Sequence, residues 1–297
     1  MKKLFIFIIL FMLGCETTPD VPVSLPDDSI LRIGAFNIEI FGNTKVGRPN
    51  TLTVLAKIAS NFDVMAVEEV GSNNSSSSDE TCTGIMDQYV EKINEVYGEG
   101  LFSYVRGNQY AIVYRTDRVR INNYTLYSGM QSFTYTPLIA NLSVIVKGGN
   151  LDFSMVVIHT SPSLAETEIP ALKTVMDEVR TLYSEPDVIC AGDYNADGSY
   201  YSEGDDEWLA GFELSDYITG IPNVCDTTVA SSGNTYDRMQ MTISMVSDYT
   251  NDGGVVRFGE VYDLAACEGT DITAGTESAV SDHYPVWCTF YTGRDED

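Results

Sequence analysis

Short apolar runs and longer stretches with apolar residues three and four apart take turns along the chain. The runs at residues 30–36, 63–67, 110–114, 142–146, 153–158, 188–191, 238–244 and 285–290 have the length and composition of strands. Between them, residues 52–62 carry Leu52, Leu55, Ile58, Ala59 and Phe62 at helical spacing. Residues 85–97 place Ile85, Tyr89, Ile93 and Val96 on one face, and residues 164–183 do the same with Leu172, Val175, Met176, Val179 and Leu182. Strands and helices interleave, and several strands are hairpin-like neighbours. This order predicts an α/β chain of the α+β kind, with two packed mixed sheets flanked by helices rather than one doubly wound parallel sheet.

The N-terminal pattern is different. Lys2 and Lys3 precede an apolar stretch, residues 4–13, that is far shorter than the ~20 residues a spanning helix needs. It reads as a secretory signal. It ends in Leu13-Gly14-Cys15, which resembles the bacterial lipobox, so residues 1–15 are expected to be a lipoprotein-type signal with Cys15 as the lipidated residue. The other reading is an ordinary cleaved signal with an incidental cysteine. Residues 16–29, rich in Pro, Thr and acids, suit a flexible tether. A single domain is expected over 30–292, with an acidic tail at 293–297 and an exposed Ser/Asn-rich loop at 72–78. This organisation predicts an exported outer-membrane or cell-surface lipoprotein, a monomer that meets the membrane only through its lipid.

Charge narrows the partners. Lys and Arg number 17 against 43 Asp and Glu, a net charge of −26. Phosphate contacts normally come from Lys and Arg, so broad attraction to a polyanion is disfavoured, although a cation can bridge an acidic site to a phosphate. Of the 6 cysteines, lipidation of Cys15 leaves Cys82, Cys190, Cys225, Cys267 and Cys288. Export permits disulfides, and an odd number leaves at least one thiol. Cys190 and Cys288 lie in apolar runs as core residues do, and no CxxC spacing suggests zinc.

The chain has 2 histidines, His159 and His283, and each borders a strand-like run. So do Asn37, Glu69, Asp193 and Asn195. Polar groups at strand ends can converge on one rim of a sheet sandwich. Carboxylates and an amide oxygen are hard ligands, suited to Mg2+, Mn2+ or Ca2+ rather than zinc. Two imidazoles beside them can hold a phosphate and pass protons. Metal-assisted phosphodiester hydrolysis needs this inventory.

The motifs carrying these residues resemble the endonuclease/exonuclease/phosphatase superfamily, and within it the secreted deoxyribonuclease I branch. They are Ala35-Phe36-Asn37-Ile38 with Phe41-Gly42-Asn43-Thr44-Lys45, Glu69-Val70, His159-Thr160-Ser161-Pro162-Ser163, Gly192-Asp193-Tyr194-Asn195-Ala196-Asp197-Gly198-Ser199-Tyr200, Asp226-Thr227-Thr228, Tyr236-Asp237-Arg238, and Ser281-Asp282-His283-Tyr284-Pro285-Val286. They run in family order across nearly the whole domain. The resemblance implies a four-layer α/β sandwich with its site at one end of two packed sheets. It implies divalent metal, Mg2+ or Mn2+, on Glu69 with Asn37, Asp282 and Asn195 nearby, and Asp193 by the scissile phosphate or a second metal. It pairs His283 with Asp237 and sets His159 across the phosphate. Asp193 or His283 would take a proton from water while His159 assists the departing oxygen. Tyr200 would touch DNA. Glu68 stands where the family often has Gln, so Glu69 is taken as the ligand of the pair.

Departures accompany the match. The acidic partner of the first histidine falls at Asn108. Arginines that touch phosphate in the animal enzymes give way to Glu39, Gly71 and Tyr135, with Arg106 as the candidate replacement in the groove. Gly198 and Asn234 occupy the positions of a disulfide near the animal site. Asp226 and Thr228 match a structural Ca2+ site, or form an ordinary turn. The expected activity is cleavage of DNA within the chain. The alternatives are a same-fold phosphodiesterase or phosphatase acting on a phospholipid such as sphingomyelin or on an inositol phosphate, which the charge favours, and a non-catalytic binding lipoprotein.

Overall fold

The computed structural model describes residues 27–71, 79–202 and 209–296. The signal segment with Cys15, most of the tether and the loop at 72–78 lie outside the described residues. No helix among the described residues is long and apolar enough to cross a membrane.

The chain order is β1 (Ile30–Phe41), α1 (Asn43–Val46), α2 (Pro49–Ala59), β2 (Val64–Val70), α3 (Asp79–Tyr97), β3 (Phe102–Gly107), β4 (Tyr110–Arg115), β5 (Val119–Leu126), β6 (Leu138–Val144), β7 (Asp152–His159), α4 (Ala165–Tyr183), β8 (Val188–Asp193), β9 (Tyr217–Thr219), β10 (Asp237–Thr242), β11 (Tyr249–Val255), α5 (Phe258–Val261) and β12 (Val286–Tyr291). They form two six-stranded sheets, ordered β11-β12-β1-β2-β4-β3 and β5-β6-β7-β8-β10-β9. Each sheet has one parallel pair at its centre, β1 with β2 and β7 with β8, and antiparallel neighbours outside.

Packing follows from the patterns. Apolar residues of β1, β2, β7 and β8 are buried on both faces, as befits strands covered by the other sheet inside and by helices outside. Pro49 pre-sets the first turn of α2, and Asp79 and Glu80 meet the positive N-terminal end of α3. Leu52, Leu55, Ile58, Ile85, Tyr89 and Ile93 from these helices join one continuous core with the first sheet. A second cluster seats Ile169, Leu172, Val175, Met176 and Val179 of α4 on Val156, Ile158, Val188 and Cys190. Leu182, expected on that stripe, is instead exposed near the helix end. Cys82, Cys190, Cys267 and Cys288 are buried thiols outside any disulfide.

The sequence pattern missed β3, β5, β9 and β11, which are the four outer strands of the two sheets. Edge strands need no apolar run on both faces. Most of β5 is exposed, and β11 carries Thr250-Asn251-Asp252-Gly253-Gly254 through its middle. The central strands matter most for function, because their register places polar residues side by side. Asn37 lies opposite Glu68 where β1 and β2 run out, and His159 lies opposite Asp193 at the ends of β7 and β8.

Candidate active site

The first sheet delivers its polar residues through backbone in the left-handed region. Glu39 and Ile40 both have φ of 47°, and Glu69 has φ of 63°. A β-branched residue such as Ile40 is an outlier there, and each such residue costs on the order of 1–3 kcal/mol. The bulge is held by Ile40 and Lys45. Ile40 N donates to Glu69 Oε2 at 2.6 Å, and the buried Lys45 Nζ donates to the carbonyls of Ile38 (2.8 Å) and Val280 (3.1 Å). Lys45 thereby ties β1 to the loop that carries Asp282 and His283. Ser281 Oγ adds a bond to the Asn37 carbonyl at 2.7 Å.

The two sheets meet at Asp193. Its Oδ2 accepts from Asn37 Nδ2 at 3.1 Å, and lies 3.5 Å from His159 Nε2 and 3.6 Å from His283 Nε2. Its Oδ1 accepts from Asn195 N at 2.8 Å, and Asn195 Nδ2 donates to the Thr160 carbonyl at 2.8 Å. Asn37 Nδ2 also donates to Glu69 Oε1 at 3.2 Å. Asn37, Glu69, His159, Asp193, Asn195 and His283 therefore converge on one rim.

His283 has the stronger support of the two imidazoles. Its Nδ1 lies 2.8 Å from Asp237 Oδ2, and antiparallel pairing of β10 with β8 sets Asp237 opposite Asp193. Burial opposes charge on the ring. Asp237, Asp193 and Asp282 outweigh that and hold His283 well above its ordinary pKa. Burial, and then the charge of Asp193, raise Asp237, but the short contact favours the ion pair, with the proton on the imidazole. His159 is anchored through its backbone, its N donating to the Tyr110 hydroxyl at 3.0 Å, and its ring stacks on Tyr135 with centroids 5.4 Å apart. Nothing among the described residues hydrogen-bonds His159 Nδ1.

Two expected residues lie elsewhere. Asn108 is exposed in the β3–β4 turn with φ of 54°, where a small amide is tolerated, and it does not reach His159. Arg106 does not extend into the groove, because its guanidinium is bound to Asp79 at the start of α3. Tyr200 stands on the rim, 37% exposed, with its ring against Tyr236, which in turn lies beside His283. Asp282 is at the site, its Oδ1 3.8 Å from His283 Nε2. Asp226 and Thr228 form a turn behind His283. Gly198 and Asn234 are neighbours: a Cβ added at Gly198 would lie 3.4 Å from Asn234 Oδ1. Instead of a covalent link, Asn234 Nδ2 donates to the Tyr236 hydroxyl at 2.9 Å, and Thr235 N donates to Asp197 Oδ2 at 2.7 Å.

Sequence reasoning set Glu68 aside in favour of Glu69 and gave it no role. It is fully buried, and neither carboxylate oxygen has a hydrogen-bond partner. Burial, then the negative charges of Asp237, Asp193 and Glu69, push its pKa well above the ordinary range. The glycine of the Gly192-Asp193 motif makes room for it. Gly192 has φ of 137°, and a Cβ there would stand 2.0 Å from the Ile158 carbonyl and 3.0 Å from Glu68 Oε1. Glu68 points inward from a strand whose other inward positions are apolar, so strand alternation gave no signal for it.

The residues fit a divalent cation. Glu69, Asn37, Asp282 and Asn195 offer hard oxygen atoms, and the neighbouring carboxylates far outnumber the one buried lysine. Asp193, Asp237 and His283 also place ligand atoms within 4.8 Å of one another. In that trio, however, the 2.8 Å contact commits Asp237 Oδ2 to the imidazole.

Residues 34–283 match the endonuclease/exonuclease/phosphatase family. The chain belongs to that family. It is 28% identical to deoxyribonuclease-1 of Sus scrofa over 268 residues, covering 87% of this chain and 91% of the relative. It is 30% identical to deoxyribonuclease-1-like 2 of Mus musculus over 277 residues, covering 88% and 92%. Among solved structures, D. rerio TDP2 complexed with a single-strand DNA product superposes with a TM-score of 0.57 at 15% identity, covering 89% of this chain and 100% of that one. A family protein from Bacteroides thetaiotaomicron does so with a TM-score of 0.52 at 14% identity, covering 88% and 97%. These likenesses match the four-layer sandwich of two sheets flanked by helices. As a member of this family with deoxyribonuclease relatives, the protein is a hydrolase of the nuclease and phosphodiesterase type.

Glu68 carries a prediction about stability. A carboxyl with a raised folded pKa binds more protons folded than unfolded, so its contribution to stability is present at low pH and is lost as pH rises above the unfolded value near 4.3. Glu68→Gln removes this penalty. Its unfolding midpoint is expected to exceed that of the parent by at least about 2 °C at pH 8 and to match it near pH 4. Thermal denaturation at the two pH values measures this, and an equal or lower midpoint at pH 8 would show that Glu68 is stabilised as the anion.

Proposed function

We propose that the protein is an exported, lipid-anchored, divalent-metal-dependent phosphodiesterase that hydrolyses DNA endonucleolytically. The observation that carries this reading is the position of Asp193 Oδ2, 3.5 and 3.6 Å from two imidazole Nε2 atoms, one of them backed by Asp237. A carboxylate between two proton carriers is an arrangement for in-line attack by water on a phosphorus centre. The deoxyribonuclease relatives, and the solved TDP2 relative with its DNA product, support DNA as the substrate.

Each residue has a place in this reaction. Glu69, with Asn37, Asp282 and Asn195, would hold Mg2+ or Mn2+, which when bound polarises the phosphate and lowers the pKa of coordinated water. His283 enters protonated and held by Asp237, so its Nε2 is a proton donor for the departing oxygen. His159, whose Nε2 faces Asp193, accepts the proton of the attacking water. Asp193 aligns the water between the rings. One P–O bond forms, one breaks, and one proton enters and one leaves the protein. This reverses the roles expected from sequence, because the carboxylates around His283 favour its charged form. Asn37 keeps Glu69 and Asp193 in a fixed relation, and Tyr200 offers an aromatic face to the sugar-phosphate chain.

The −26 charge and the binding of Arg106 to Asp79 leave phospholipid substrates as the competing reading, and one assay separates them. Supercoiled plasmid and sphingomyelin are incubated with the purified protein and Mg2+, with and without a chelator. Nicking of plasmid that stops with chelator is expected, with little release of choline phosphate. His159→Ala and His283→Ala are each expected to lower nicking by at least about 100-fold. Choline-phosphate release without nicking would overturn the DNA reading, and unchanged activity in both variants would overturn the catalytic one.

The anchor is a separate proposal resting on Leu13-Gly14-Cys15. Metabolic labelling with a radioactive fatty acid is expected to mark the protein and to fail for Cys15→Ser. Labelling that survives Cys15→Ser would refute it.

A further inference from the structure

Residues 225–229 lash the catalytic side chains together. Tyr284 N donates to the Thr227 carbonyl and Val229 N to the Asp282 carbonyl, both at 2.8 Å, and Thr228 pairs with His283 as an antiparallel bridge. Thr227 Oγ1 accepts from Tyr236 N (3.0 Å) and Asp237 N (3.1 Å). This one turn therefore sets the separation of Asp237, Asp282 and His283. Asp226 shapes it, its Oδ1 accepting from both the N and the Oγ1 of Thr228 at 3.1 Å.

The family resemblance implies a calcium ion on Asp226 and Thr228, and the residues do not fit one. A side-chain cation already binds the oxygens of Asp226. Arg257 Nη2 donates to the Asp226 carbonyl at 3.0 Å and to Asp226 Oδ2 at 3.2 Å, and its guanidinium lies over the Tyr284 ring, 4.4 Å from the centroid. Calcium takes six to eight oxygen ligands. Here the carbonyl and one carboxylate oxygen of Asp226 already serve the guanidinium, and Thr228 Oγ1 is turned to donate to the other. Arg257 is also the residue that precedes α5, so the same contact fixes that helix to the turn. It also grips the residue beside His283 through a cation–π contact.

We propose that Arg257 is a permanent internal cation standing in place of calcium, so that the turn behind His283 holds its shape without that ion. Together with the bonds at Asn234 and Asp197 that occupy the place of a disulfide, the loop region needs neither covalent nor ionic reinforcement from outside. Arg257 is a positioning residue: it acts on His283 through Tyr284 and the Asp226 turn, and touches no reacting group.

The test uses purified protein and its Asp226→Asn variant, with terbium luminescence as a probe of calcium-type sites and thermal unfolding in calcium or in chelator. Asp226→Asn is expected to change terbium affinity less than twofold, and both proteins are expected to show the same calcium response in unfolding midpoint. Arg257→Ala uncovers the Asp226 oxygens. It is expected to gain terbium binding at least tenfold and a calcium-dependent rise in midpoint, both abolished by adding Asp226→Asn, whereas Arg257→Lys retains the parent's calcium indifference. A terbium site in the parent that Asp226→Asn removes, with a calcium-dependent midpoint lost in the same variant, would overturn the proposal. That comparison stands even if Arg257→Ala does not fold, and it is independent of the substrate cleaved.

Discussion

At the heart of the site a buried hydrogen bond crosses between the two sheets: Asn37 Nδ2 of the first donates to Asp193 Oδ2 of the second, 156 residues away in sequence. Everything at the site is referred to it. On one side Asn37 also touches Glu69, and on the other Asp193 faces both imidazoles. The bond can form only because each sheet has a central parallel pair ending at the same rim, with Asn37 and Asp193 in register with Glu68 and His159. Sheet packing thus does the work that a single catalytic loop does in other enzymes, and it places functional groups on rigid strands.

The second constraint is charge. Glu39, Glu68, Glu69, Asp193, Asp237 and Asp282 crowd one end of a chain that is already strongly acidic. The fold manages this in different ways. Lys45 neutralises the β1 bulge, His283 pairs with Asp237, and burial under Gly192 raises the pKa of Glu68. Arg257 pairs with Asp226 behind the site. Glu69 and Asp282 remain as hard oxygen donors of the kind a divalent cation takes.

Much of this was legible in the sequence, and the reason is physical. Strands buried on both faces read as apolar runs, so the central strands were visible, and the polar residues just past them marked the rim. Asn37, Glu69, His159, Asp193, Asn195 and His283 all followed that logic. The edge strands β3, β5, β9 and β11 did not, because partial exposure relaxes the demand for apolar residues. Glu68 was weighed against Glu69 as a ligand and set aside, but its burial was not legible, because an inward-facing carboxylic acid breaks the alternation that would place it. The alignment of Asn108 with a histidine partner, and of Arg106 with the groove, depended on side-chain direction in a turn and at a strand end. Positional matching does not determine such directions: Arg106 found Asp79 and Asn108 faces solvent.

The claim most exposed to test is that Asp193, the meeting point of the sheets, serves the chemistry rather than the packing. Asp193→Asn keeps the shape and an oxygen that accepts from Asn195 N, gives up the acceptor facing Asn37 Nδ2, and removes the charge between the rings. With circular dichroism and unfolding midpoint matched to the parent, kcat/KM for Mg2+-dependent DNA cleavage is predicted to fall by at least about 1,000-fold, on the order of 4 kcal/mol of transition-state stabilisation. A folded Asp193→Asn variant whose kcat/KM stays within threefold of the parent would contradict the account.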